Sequence, residues 1–335
     1  MVIEATGLEG SLGDLCSIRT KDNRTIQAEI VGFMGNKILM MPFEEIMGIS
    51  SGSPVSVNPQ PMNIPVGNQL LGRILDGMGN PIDGKGPITG TQFQPVYNVP
   101  PDPLNRKRIT EVISTGIRSI DGFLTLGKGQ RIGIFSGSGI GKSVLLGMIS
   151  RFTSAEVNVI ALIGERGREV REFIERDLGP EGLKRSVVIV ATSDQSAMVR
   201  IKGSLIATAI AEYFRDEGKN VMFMMDSLTR VAMAQREIGL AIGEPPTTKG
   251  FTPSVFSFLP KLLERTGTGK KGSITGLYAV LIEGDDMDDP IGDTARSILD
   301  GHIILSRKLS TKGHYPAVDV LDSVSRLFPD IADTV

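Results

Sequence analysis

Arg131-Ile-Gly-Ile-Phe135 runs directly into Ser136-Gly-Ser-Gly-Ile-Gly-Lys-Ser143, and then into Val144-Leu-Leu-Gly-Met-Ile-Ser150. Strand-like, glycine-rich and helix-like segments thus follow one another in the order of a phosphate-binding loop. The glycines at 137, 139 and 141 let the backbone curl until its N–H groups converge on phosphate oxygens, and the following helix N-terminus adds partial positive charge. In this reading the backbone from Gly137 through Ser138, Gly139, Ile140, Gly141, Lys142, Ser143 and Val144 surrounds the phosphates of ATP. Lys142 contacts the β- and γ-phosphates, and the Ser143 hydroxyl ligates Mg²⁺. Ser136 stands where the usual pattern has its first glycine, which requires a negative φ there.

Outward from the loop, apolar runs alternate with helical stretches, the pattern of a mostly parallel sheet covered by helices. The expected strands are 131–135, 157–163, 187–191, 221–225, 275–282 and 302–305. Nearly unbroken apolar runs fit strands buried on both faces. Met198, Ile201, Leu205 and Ala209 recur at helical spacing before Gly218, a C-terminal cap. Two of the strands end in acids. Val221-Met-Phe-Met-Met-Asp226 delivers a carboxylate suited to the Mg²⁺ shell, and Val157–Ile163 leads into Gly164-Glu-Arg-Gly-Arg-Glu169, where Glu165 is placed to ready an attacking water.

Toward the N-terminus, Thr25-Ile-Gln-Ala-Glu-Ile-Val-Gly-Phe33 and Lys37-Ile-Leu-Met-Met41 read as strands of a small antiparallel barrel without a clear first strand, and so an incomplete one. Residues 54–103 carry turn signals at Gly79-Asn80-Pro81 and Asp83-Gly84 and read as an extended connector. The expected division is a barrel-like domain over 1–60 and an ATPase domain over 61–335.

Composition agrees with a packed soluble fold: 40% of the 335 residues are hydrophobic and 22% charged. Lysine and arginine total 36 against 38 acidic residues, leaving no global positive field to hold a nucleic-acid backbone. The single cysteine, Cys16, cannot form an internal disulfide, and reads as a half-buried strand residue in a reducing compartment. The first residues lack a signal peptide's basic start, and no apolar run approaches the ~18 residues of a membrane span. A cytoplasmic protein, peripheral to a membrane at most, is expected.

Together with Ser136–Ser143 and Gly164–Glu169, the stretches Met225-Asp-Ser-Leu-Thr-Arg230, Ala234-Gln-Arg-Glu237, Gly243-Glu-Pro-Pro246, His314-Tyr-Pro-Ala-Val-Asp319 and Ser325-Arg326 resemble the flagellar and injectisome type III export ATPases. Those enzymes are similar to the catalytic β subunit of F-type ATP synthases. The resemblance implies a RecA-like P-loop core behind a small β-barrel, with Lys142 and Ser143 as the phosphate-loop pair, Glu165 as catalytic glutamate and Asp226 as Mg²⁺ aspartate. It further implies Arg166 and Arg230 near the γ-phosphate, Tyr315 stacked on adenine, and Arg326 acting in trans in a neighbour's site. A homohexamer threaded by a central stalk protein is implied, with Gly243–Pro246 as a pore-facing loop and with export-gate, regulatory, chaperone and cargo partners. Because the family continues past Arg326 into a helical domain, and Val2–Leu8 resembles a segment already inside its barrel, a chain truncated at both ends that assembles poorly is expected.

Three alternatives predict other features. Rotary ATP synthesis fits less well with Ser136 and with the Gly-Arg-Glu-Val continuation after Arg166. An RNA translocase like the terminator Rho needs exposed aromatics in the barrel, where only Phe33 and Phe43 stand. A nucleotide-binding regulatory subunit would lack Glu165. The flagellar branch is favoured on general similarity.

Overall fold

In Val157–Ile163 every residue is apolar except Asn158, and all seven are buried, which only a strand covered on both faces can satisfy. The computed structural model describes residues 1–59, 61–89, 92–282 and 289–332. Its main sheet runs in the order Val318–Ser325, Gly301–Leu305, Arg131–Ser136, Ser273–Leu281, Asn220–Asp226, Val157–Ile163, Ser186–Ala191, Arg73–Asp76. Neighbours pair in parallel except for the Val318–Ser325 edge, which is antiparallel, as is the short Gly267–Thr268 strand beside Ser273–Leu281.

Alternation splits the core into two layers. Val159, Ala161 and Ile163 face the layer of helices Ala197–Asp216, Leu228–Ala241 and Pro253–Glu264. Ile160 and Leu162 face the other, where Leu145, Leu146 and Ile149 of the helix Lys142–Phe152 pack. All six expected central strands are present, within two residues at each end. Helix Ala197–Asp216 is also present, followed by Gly218 at φ 89°.

Several strands escaped the reading of the sequence. Arg73–Asp76, inside the supposed connector, is the far edge of the main sheet. Four residues between turns carry little apolar signal; the bidentate Arg73–Asp83 pair, 2.7 and 3.0 Å, anchors the segment instead. Within the same stretch, Asn63–Val66 and Gln92–Pro95 pair antiparallel to each other. Val318–Ser325 alternates apolar residues with acids and serines, as an edge strand does.

The N-terminal sheet has five antiparallel strands in the order Ile3–Thr6, Lys37–Pro42, Thr25–Met34, Leu15–Arg19, Val55–Asn58. A first strand therefore exists, contrary to expectation. Its four residues alternate half-buried with exposed, too short a pattern to read unaided. Cys16 is fully buried rather than half-buried, and burial, with Asp14 and Glu29 nearby, pushes its thiol up to about 11. Residue 60, the expected boundary, lies outside the described residues.

A buried network ties the sheet to the core. Glu29 on Thr25–Met34 pairs with Lys202 on Ala197–Asp216; Lys202 also donates to the Tyr97 hydroxyl, which itself donates to Glu29 at 2.7 Å. Lys202 is completely buried, and burial depresses its pKa against the pull of Glu29. Lys202→Ala, which strands the Glu29 charge, should destabilise the protein by roughly 3–5 kcal/mol, and Tyr97→Phe by about 1 kcal/mol. Chemical denaturation checks both, and a Lys202→Ala loss below that of Tyr97→Phe contradicts the network.

Candidate active site

Parallel strands end at a common edge, so register decides which side chains meet. Ser136 pairs with Leu281, and Asp226 with Leu162, which brings the phosphate loop, Glu165 and Asp226 to one edge of the sheet. Ser136 is the last residue of its strand, with no left-handed φ, so serine fits where glycine is usual. Its buried hydroxyl has no hydrogen-bond partner among the described residues. Of the three loop glycines only Gly139 (φ 77°) and Gly141 (φ 95°) take left-handed conformations, Gly141 immediately before the helix Lys142–Phe152.

Lys142 is the hub of this edge. Its Nζ donates to Asp226 Oδ1 and lies 3.6 Å from Glu165 Oε1. Burial opposes the ammonium charge, but the two carboxylates outweigh it and raise its pKa. Burial and Asp226 push the Glu165 carboxyl up to about 7, with Lys142 pulling the other way. One cation against two buried acids leaves this edge short of positive charge.

Gly164, at φ 75°, allows the close approach that sets the next contact: a Cβ there would lie 2.7 Å from Arg230 Cβ. Arg230 thereby lies across the turn that presents Glu165, and its buried Nε has no hydrogen-bond partner among the described residues. A cavity of about 950 Å³ opens over the loop, with Gly137, Ser138, Gly139, Gly141, Lys142, Ser143, Val144, Glu165, Arg166 and Arg230 in its wall. Eight Lys and Arg side chains face five Asp and Glu among the described lining residues, a surplus suited to a polyanion.

The other sequence candidates stand in different surroundings. Ile140 has its side chain buried in the core, so only its backbone can face the phosphates. Asp226 sits beneath the cavity, bound to Lys142. Tyr315 is largely exposed, its ring 3.6 Å from where a Cβ on Gly141 would stand and its hydroxyl 2.9 Å from Ser310 Oγ. Arg166 is exposed and 3.5 Å from Glu169. Arg326 is not brought to this cavity: its N–H donates to Asp300 O at the opposite edge of the sheet, and its guanidinium to Arg296 O. In the turn after helix Leu228–Ala241, Glu244 accepts from Ser254 N at 3.0 Å, while residues 245–249 are exposed.

Sequence reasoning missed Arg176, Arg236, Lys249 and Arg307 in the cavity wall. Arg307 carried the most signal, since it follows the strand beside the phosphate loop; its guanidinium is 3.5 Å from Ser138 O.

The donors at this edge fit a hard divalent cation: a serine hydroxyl at 143 and the carboxylate of Asp226, with no soft ligand. Among the described residues no cluster of three or more His, Cys, Asp or Glu forms a protein-only cage. A single carboxylate together with substrate phosphates is one way in which Mg²⁺ is commonly held.

The model of the ATP synthase alpha/beta family nucleotide-binding domain matches residues 116–325, and that of the same family's beta-barrel domain matches residues 1–56. The chain belongs to the ATP synthase alpha/beta family. It is a P-loop ATPase with a RecA-like core behind a small β-barrel domain. Among its relatives it is 58% identical to the flagellum-specific ATP synthase of Bacillus subtilis, over 99% of this chain and 76% of that one. It is 54% identical to the type 3 secretion system ATPase of Xanthomonas euvesicatoria, over 98% of this chain and 75% of that one. The assembled ATPase EscN of the enteropathogenic E. coli type III secretion system superimposes with a TM-score of 0.94 at 47% identity, covering 99% of this chain and 80% of EscN.

An ionised Glu165 is disfavoured in the folded protein, which therefore holds more protons than the unfolded chain between the ordinary pKa of 4.5 and about 7. The Glu165 contribution to stability accordingly falls as pH rises through that window. Glu165→Gln should thus stabilise the nucleotide-free protein at pH 8, on the order of 1–2 kcal/mol, and change little at pH 4.5. Denaturation at the two pH values checks this; the same difference at both would contradict the raised pKa.

Proposed function

We propose that this ATPase hydrolyses Mg²⁺-ATP to energise protein export through a flagellar type III secretion apparatus. The observation that carries the chemistry is the Lys142 ammonium held between Asp226 and Glu165 under a cationic cavity at the phosphate loop. The flagellar assignment rests on the high identity to flagellum-specific relatives along nearly the whole chain.

In this reading loop amides and Lys142 grip the β- and γ-phosphates, and Ser143 and Asp226 hold Mg²⁺, which when bound supplies charge neutralisation on the phosphates. Glu165, ionised above about pH 7, accepts a hydrogen bond from the water that attacks the γ-phosphorus as the bond to ADP breaks. Arg230 and Arg166 steady charge on the transferring group. Tyr315 flanks the base, and Arg326 enters a neighbour's site.

A trans arginine requires an oligomer. EscN has been solved assembled, and also in complex with its central stalk EscO. We infer a homo-oligomer, hexameric in the full-length family, with a stalk protein against Gly243–Pro246 and with export-gate, regulatory, chaperone and cargo partners at the cytoplasmic face of the apparatus. Among the described residues no helix is long and apolar enough to cross a membrane. A division into a barrel over 1–60 and an ATPase domain over 61–335 belongs to the same proposal.

The injectisome is the second reading, favoured by the close superposition on EscN. An RNA role has little support, since Phe43 is buried and of the two barrel phenylalanines only Phe33 is exposed.

Steady-state hydrolysis at several protein concentrations tests the roles. Lys142→Ala should abolish nucleotide binding, whereas Glu165→Gln and Arg326→Ala should bind normally and lose turnover, about 10³-fold for the arginine. The wild-type rate per subunit should rise with concentration. Equal loss of binding in Lys142→Ala and Arg326→Ala, or a concentration-independent rate, contradicts the assignment.

A further inference from the structure

The strand Ser273–Leu281 lies between Arg131–Ser136, which runs into the phosphate loop, and Asn220–Asp226. It is the spacer that sets how far the loop stands from Asp226. Its two ladders do not end together. With Arg131–Ser136 the pairing runs to Leu281 opposite Ser136, and Ile282 N goes on to donate to Ser136 O at 3.0 Å. With Asn220–Asp226 it stops at Tyr278 opposite Met225, because the chain turns after Asp226 into helix Leu228–Ala241.

That early stop leaves a backbone donor to be satisfied. Gly276 N and Ile282 N donate toward the phosphate-loop side, to Gln130 O and Ser136 O, so Leu281 N, out of step by one residue, points toward the Asp226 strand. In the register of that ladder its acceptor would be Ser227 O, but this carbonyl already accepts from Arg230 N at 3.1 Å and Val231 N at 3.2 Å as the helix begins. A side chain takes its place: Leu281 N donates to Thr229 Oγ1 at 2.9 Å. Thr229 is buried and belongs to the wall of the cavity that holds Lys142 and Glu165. Its hydroxyl thus stands in for a ladder bond at the point where the strands on either side of the Lys142–Asp226 contact part company.

We infer that Thr229 is a positioning residue for ATP hydrolysis, which through Leu281 fixes the spacing between the phosphate loop and the turn that carries Asp226 and Arg230. The inference rests on the reading of this cavity as the ATP site. Spacing matters there because a misplacement of about 1 Å can cost on the order of a hundredfold in rate.

The test measures steady-state hydrolysis, binding of a non-hydrolysable ATP analogue, and amide hydrogen exchange at Leu281 in wild type, Thr229→Val and Thr229→Ser, with Lys142→Ala as control. Valine keeps the branched shape and removes the acceptor, whereas serine keeps the acceptor. Thr229→Val should lower kcat by about 10- to 100-fold, with a much smaller change in analogue affinity, and should expose the Leu281 amide to exchange. Thr229→Ser should restore most of the rate and the protection. In wild type the Leu281 amide should exchange as slowly as its ladder neighbour Val280; exchange as fast as at a solvent-exposed amide overturns the inference without any variant having to fold. A folded Thr229→Val with the wild-type kcat, or a serine variant as impaired as valine, overturns it too. Analogue binding that survives Lys142→Ala unchanged overturns the reading of the site instead.

Discussion

A single ammonium group, Lys142, compensates two carboxylates that the sheet forces together. The strands ending in Asp226 and leading into Glu165 are adjacent and parallel, so their acids meet at one edge, and both are largely buried. Burying two like charges is unfavourable unless a cation joins them. Burial and the neighbouring Asp226 hold the Glu165 pKa raised even with Lys142 pulling the other way. In the proposed reading, a triphosphate bound with a divalent cation would offer Lys142 phosphate oxygens and Asp226 a new positive partner.

The rest of the fold makes that edge rigid. Strands buried on both faces leave Lys142–Phe152 packed on one layer and Ala197–Asp216 on the other, so the loop, the glutamate and the aspartate cannot shift independently. The barrel is fastened to the second layer through Lys202, Glu29 and Tyr97, a buried polar contact that is costly to open. The barrel is thus tied to Ala197–Asp216, the helix that packs on the strands delivering Glu165 and Asp226.

Much of this was legible in the residues because buried parallel strands are written as apolar runs: Val157–Ile163 has the boundaries its composition announced. The phosphate loop was legible because its glycines and Lys-Ser pair are contiguous. Arg73–Asp76 was not, since its place in the sheet depends on a buried pair with Asp83, ten residues away, rather than on its own hydropathy. Nor was the first strand of the N-terminal sheet, an edge strand of four residues. Cationic residues of the cavity wall such as Arg176, Arg236 and Lys249 come from separate elements with no shared motif, so only the folded chain shows them together. Lys249 shows the limit most clearly, because its left-handed φ of 49° leaves no trace in a sequence beyond the glycine beside it.

The most direct measurement is a structure of the protein with magnesium and a non-hydrolysable ATP analogue. The account predicts that Lys142 Nζ leaves Asp226 for the β- and γ-phosphates while Glu165 turns toward a water facing the terminal phosphorus. A triphosphate bound elsewhere, or bound at the loop with Lys142 still paired to Asp226, would contradict it.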